Sequence, residues 1–183
     1  MMVSDEPANE PEAPAAPEDP LLAALVTEFP DEVLATGDWR GDRSVVVGRD
    51  SLLKVMQSLR DQHGFEMLLD VTAVDYLGRD PRFEVVYHLV ALEDAARVRV
   101  KVPLAQADVK IPSLVDLWHA ANWLERETFD MYGIEFTDHP ELKRIYLYEE
   151  FEGHPLRKDY PKEKRQPLIG PGAIAREEVE QNG

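Results

Sequence analysis

The sequence predicts an α+β fold: a two-layer domain with a mixed, largely antiparallel four-stranded sheet covered by helices, followed by an extended C-terminal arm. Three observations carry that reading. Residues 97–102 alternate without exception, Arg97, Arg99 and Lys101 against Val98, Val100 and Val102, as a strand with one buried and one wet face does. Two stretches, 20–29 and 50–64, carry apolar residues at helical spacing, so helices exist to cover the buried face. Beyond Gly133 five prolines interrupt a segment still rich in Ile, Leu, Phe and Tyr, and no period persists.

In order along the chain, residues 1–19 hold six carboxylates and no base, a composition that cannot offset chain ordering by apolar burial and is expected to be disordered. Asp19-Pro20 then opens a helix, with Asp19 as N-cap, proline at the first helical position and Leu21, Leu22, Leu25 and Val26 on one stripe. "SVVVG" (44–48) reads as a buried strand. The stretch 50–64 follows as a helix with Leu52, Val55, Met56 and Leu59 on one face, stopped by Gly64. Segments 65–76, 82–92 and 96–104 have connections short enough for hairpins and form an antiparallel meander. From Pro112 to Gly133 helix resumes, with Ser113 and Asp116 at capping-box spacing and Gly133 as a left-handed stop. The domain thus spans 20–133, and 134–183 is an arm expected to dock on a partner.

Composition excludes whole classes of function. Without cysteine there are no disulfides, thiolate nucleophiles or iron–sulfur ligands, so any redox chemistry belongs to a partner. A net charge of −16 argues against phosphate-backbone binding. No apolar run approaches the ~20 residues that span a bilayer, and the acidic start is neither a signal nor a transit peptide. A soluble bacterial cytoplasmic chain is expected.

The densest chemistry is "NWLERETFDMYGIEF", where Glu125, Arg126, Glu127 and Asp130 crowd among aromatics. Three readings compete: a metal site, an acid/base pair, or a charged helix held between other surfaces. Arg126 and Asp130 are four apart and Glu127 and Asp130 three apart, so one guanidinium can serve two carboxylates. Neither His-Glu-x-x-His nor Glu-x-x-His occurs, and the five histidines lie in separate elements, which weakens the metal reading. Asp70, Asp75 and Glu84 on adjacent strands form a remote hydrolase alternative, weakened because residues five apart on a strand face opposite sides. Walker, dinucleotide and nucleophile-elbow motifs are absent.

"ERETFDMYGI" closely resembles the signature of the 30 kDa subunit of respiratory complex I, known in bacteria as the C subunit of NADH-quinone oxidoreductase. "DVTAVDY", "FEVVYHL" and "RVRVKVP" resemble that family's sheet, and "GHPLRKDYP" its conserved end, so the similarity covers about residues 20 to 161. The resemblance implies a cofactor-free peripheral-arm subunit packed against the D subunit (49 kDa type) near the quinone-reducing end. FMN and iron–sulfur clusters would lie in other subunits, and electron transfer from NADH to quinone, with proton translocation, would belong to the assembly at the cytoplasmic face of the inner membrane. It further implies that Glu125, Arg126, Glu127, Asp130, Gly133, His154, Pro155, Arg157, Lys158 and Asp159 form the family signature and a subunit interface. An equivalent subunit of a membrane-bound hydrogenase, or of a dehydrogenase with another electron donor, is the closest alternative. The acidic head has no counterpart in the family's core, and the chain beyond Pro161 matches little.

Overall fold

Asp19 accepts the backbone N–H groups of Leu21 and Leu22 and so starts helix α1 (Pro20–Glu28) where its sequence requires; the computed structural model describes residues 19–163 and Gln166. The acidic head and the last part of the arm lie outside these residues. α1 buries Leu22 and Leu25, and Val26 stands at the edge of its apolar stripe.

Strand β1 (Val33–Trp39) is not anticipated by the residue pattern. It forms a hairpin with β2 (Asp42–Val47) through Arg40 and Gly41, both at positive φ (57° and 84°), as a two-residue turn matched to strand twist requires. The sheet therefore has five strands, not four. "VLATGDW" hides its strand character because it is a sheet edge with one exposed and one half-covered face, and glycine and aspartate dilute its β-branched content.

After a short 3-10 turn (Arg49–Ser51), α2 (Leu52–Asp61) turns Leu52, Val55, Met56 and Leu59 inward. The meander is present as β3 (Met67–Asp75), β4 (Phe83–Val90) and β5 (Arg97–Leu104), and β5 continues parallel onto β2, giving the order β1-β2-β5-β4-β3. Val45, Val71, Val85, Tyr87, Val98, Val100 and Val102 face the helices and are buried. On the opposite face Val86, itself buried, registers against Lys101 and half-buried His88 against Arg99.

Helix α3 (Ala121–Tyr132) begins nine residues later than Pro112, where the sequence predicts helix to resume. Residues 113–120 run as turns, with Leu117 and Trp118 both bonded to the Leu114 carbonyl. Ser113 makes no capping box with Asp116; its hydroxyl donates to Glu125 and accepts the Val115 N–H. The expected domain end at Gly133 also falls inside the packing. Strand β6 (Lys110–Pro112) pairs in parallel with β7 (Glu135–Thr137), and Ile134 and Phe136, assigned by sequence to the arm, are core residues. Among the described residues no helix is long and apolar enough to cross a membrane.

Candidate functional site

The signature cluster sits on α3 and divides into an inner and an outer set, because a helix with aromatics all round has no single solvated face. Glu125, Thr128 and Asp130 point inward and are buried; Trp123 and Glu127 are not.

Glu125 accepts a 2.6 Å bond from the Ser113 hydroxyl and a 2.7 Å bond from the Leu114 N–H, and so pins the 113–120 turns to the helix. Burial pushes its carboxyl up to about 7, although both donors pull the other way. Tyr87 is fully buried, its hydroxyl without a hydrogen bond among the described residues, and burial together with the Glu125 charge raises its pKa well above the ordinary phenol value. The Thr128 hydroxyl, 2.9 Å from the Val71 carbonyl, ties α3 to β3.

This arrangement fixes a pH dependence. A carboxyl with a folded value near 7 and an ordinary value of 4.5 binds more protons in the folded state between those pH values, so stability falls as pH rises through that window. The total is about 3 kcal/mol. Glu125→Gln, whose amide can accept from Leu114 and donate to the Ser113 oxygen, is expected to remove that slope and to unfold at higher temperature than the wild type at pH 8. Thermal scans from pH 5 to 8 check it, and parallel wild-type and variant curves would contradict it.

Asp130 organises the arm. Its carboxylate accepts Arg144 Nη1 at 2.9 Å and the backbone N–H groups of Ile145, Tyr146 and Leu147 at 3.1, 2.9 and 3.0 Å. Burial alone would raise its pKa; the three N–H donors and the guanidinium outweigh burial and hold it below the usual carboxylate range. The expected Arg126 to Asp130 pair therefore does not form. Arg144 takes the carboxylate instead, and Arg126 turns outward to donate through Nε to the Lys143 carbonyl at 3.0 Å.

The carbonyls at the end of α3, which have no partners within the helix, are met by "HPLR" from the arm. His154 Nδ1 bonds the Asp130 carbonyl at 2.9 Å, a partner that makes Nδ1 the protonated ring nitrogen. Leu156 N–H bonds the Met131 carbonyl at 3.1 Å, and Arg157 donates to the carbonyls of Tyr132 and Gly133. Half-buried Pro155 lies between these contacts. Gly133 adopts φ 70°, and a Cβ there would run into the His154 ring and the Arg157 guanidinium, so the stop is glycine for two reasons. Phe129, the aromatic on the polar side of the helix, is covered by His154 in an edge-to-face contact at 6.3 Å.

A third latch joins the arm to the sheet. Buried Arg82 binds Asp75 through two parallel bonds of 2.8 and 2.7 Å and reaches Asp159 at 2.9 and 3.0 Å, while the Lys158 N–H donates to Asp75 at 2.8 Å. The Lys158 side chain is exposed, so only its backbone takes part. Asp75 is thus neutralised by a guanidinium, Asp70 lies on the opposite face across from His88, and Glu84 lies 3.5 Å from Lys101. Asp75 is occupied as a structural acceptor. Among the described residues no three His, Asp or Glu side chains gather to hold a metal.

Glu125, Asp130, Gly133, His154, Pro155, Arg157 and Asp159 are therefore parts of one internal clamp, Arg126 and Glu127 lie outside it, and Arg82, Asp75 and Arg144 complete it. Sequence reasoning passes over Arg82 and Arg144 because Asp75 lies across a strand turn from Arg82, seven residues back, and Asp159 and Asp130 lie 77 and 14 residues from Arg82 and Arg144. The only available signal is two arginines beside apolar runs.

An α+β domain whose terminal helix is closed by its own arm, with its inward charges spent on the arm and on the turns before the helix, defines a structural class of protein. Similarity to known proteins narrows it further. Residues 45–166 match the family described as the 30 kDa subunit of the respiratory-chain NADH dehydrogenase, and the chain belongs to that family. It is 48% identical over 140 residues to the NADH-quinone oxidoreductase C subunit of Citrifermentans bemidjiense, covering 76% of this chain and 87% of the relative. The C subunit of Roseiflexus castenholzii is also 48% identical, over 143 residues, covering 77% and 82%. A trypsin-resistant fragment of Nqo5 superposes with TM-score 0.56 at 37% identity, over 59% of this chain and 89% of the fragment. A chain of an archaeal membrane-bound sulfane sulfur reductase superposes with TM-score 0.67 at 21% identity, over 87% and 89%, and shares the fold.

Proposed function

We propose that this chain is a cofactor-free scaffold subunit in the peripheral arm of an NADH-quinone oxidoreductase, packed against the 49 kDa subunit near the quinone-reducing end. Electron transfer from NADH to quinone, coupled to proton translocation, belongs to the assembly at the cytoplasmic face of the membrane, with FMN and iron–sulfur clusters in other subunits. The observation that carries this reading is how the signature charges are used. Glu125 and Asp130 act as acceptors for turns and for the arm, and among the described residues neither carboxylate is paired with a second carboxylate or a histidine side chain. A rigid, pre-formed surface is what such a clamp produces.

The test is purification of the tagged chain from its own membranes. A flavin-containing NADH-oxidising module and the 49 kDa subunit are expected to accompany it. The isolated chain is expected to contain no stoichiometric iron, flavin or zinc and to leave NADH unoxidised. A nickel–iron centre in place of the flavin would assign the chain to a hydrogenase complex, and metal held by the isolated chain would overturn the scaffold role.

A further inference from the structure

The clamp leaves Trp123, Arg126, Glu127 and Tyr146 outside. Trp123 and Tyr146 are 64% and 65% exposed, large amphipathic side chains of the kind that anchor protein interfaces. The Arg126 guanidinium lies 4.9 Å from the Trp123 ring centroid, and its Nε is held by the Lys143 carbonyl. These two contacts orient the fork and leave its terminal nitrogens unengaged among the described residues. No carboxylate among those residues lies within ion-pair distance of it: Asp130 is taken by Arg144, Glu141 is bonded to Lys143 and feels Arg126 only as a nearby charge, and the Glu127 carboxylate lies 3.5 Å from the Tyr146 hydroxyl. In a chain with net charge −16, a pre-oriented guanidinium with no carboxylate bonded to it among the described residues is an imbalance.

Building on the reading that the chain sits among other subunits of the complex, we propose that Arg126, shelved on Trp123, receives a carboxylate from a neighbouring protein subunit, with Trp123 and Tyr146 excluding water around the pair. The planar fork suits two-point recognition of a carboxylate, and the ring beneath it removes the ordering cost that a free arginine would meet. Water exclusion by the aromatics strengthens the contact. The chain's overall negative charge repels an acidic partner at long range, so this contact sets register after encounter and does not steer it.

The experiment uses the full chain expressed in the native complex. In Arg126→Lys complexes, a water-soluble carbodiimide, which joins amines to carboxylates in contact, is expected to link position 126 to an Asp, a Glu or a chain end of another subunit, located by mass spectrometry. Arg126→Gln is expected to bind its complex about 30-fold or more weakly, read as loss from immobilised complex over a salt series. The melting temperature of the free Arg126→Gln chain is expected to stay unchanged, because position 126 is on the surface. Coupling only to this chain's own carboxylates, or undiminished retention of Arg126→Gln, would overturn the proposal while leaving the scaffold reading standing. If the wild-type chain carries no other subunit at all, both readings fall together.

Discussion

A chain ending at Gly133 is expected to be less stable than one ending at His139 by about 5 kcal/mol or more. The six added residues restore Ile134 and Phe136, both buried in the main core, and strand β7, without which β6 has no partner. Removing a buried Ile side chain costs ~2–5 kcal/mol and a buried Phe ~3–5. For a domain of this size the difference lowers the unfolding midpoint by roughly 20 °C. Urea and thermal unfolding of the two truncated chains measure it. Equal midpoints would mean that Ile134 and Phe136 merely rest on a core complete without them.

Replacing Arg82 by alanine is expected to cost about 3–5 kcal/mol, because it strands Asp75 in a place water does not reach. It also frees Asp159, so trypsin should cleave after Arg157 and Lys158 faster than in the wild type. Adding Asp75→Asn is expected to recover much of the loss, since the amide oxygen still accepts the Lys158 N–H without a charge to bury. The hydrogen bonds from Arg82 hold the Asp75 carboxyl below its ordinary value, so in the wild type the stabilisation is present above about pH 4 and is lost as pH falls through the depressed folded value. In Arg82→Ala the sign reverses, since an unpaired buried carboxylate prefers its proton, and the gap between the two proteins narrows in acid. A constant gap from pH 3 to 7 would show that the loss comes from packing and not from charge.

The elements whose signal is periodic were legible from residue order alone. Val98, Val100 and Val102 could only face one way, and Asp19-Pro20 could only open a helix. β1 was not legible, because an edge strand is half solvated and its composition need not look like that of a strand. The late start of α3 was hidden for another reason. Ser113 and Asp116 have the spacing of a cap, but the Ser113 hydroxyl and the Leu114 N–H are claimed by Glu125 from across the fold. The ten signature residues were recognised as a group, and their spacing suggested an Arg126 to Asp130 pair. The structure gives Asp130 to Arg144, which delivers a guanidinium together with three consecutive N–H groups of its own loop, more donors than Arg126 offers one turn away.

What the sequence determined by itself was the fold class, the absence of thiol chemistry, the glycine stop at position 133 and the family. Each of these is set by local spacing or by a residue type that has no substitute. Only the tertiary structure decided which charges are spent and which are free. Arg82, Arg126, Arg144 and Arg157 are the same residue type in similar surroundings, and one-dimensional order cannot tell them apart. Their roles follow from which buried oxygen each reaches first: Asp75, Asp130 and the terminal carbonyls of α3 take three of them, because an unsatisfied acceptor in the interior costs more than a surface pair returns. The fourth, Arg126, is left on the outside, bonded through Nε to the Lys143 carbonyl and with its terminal nitrogens unengaged among the described residues.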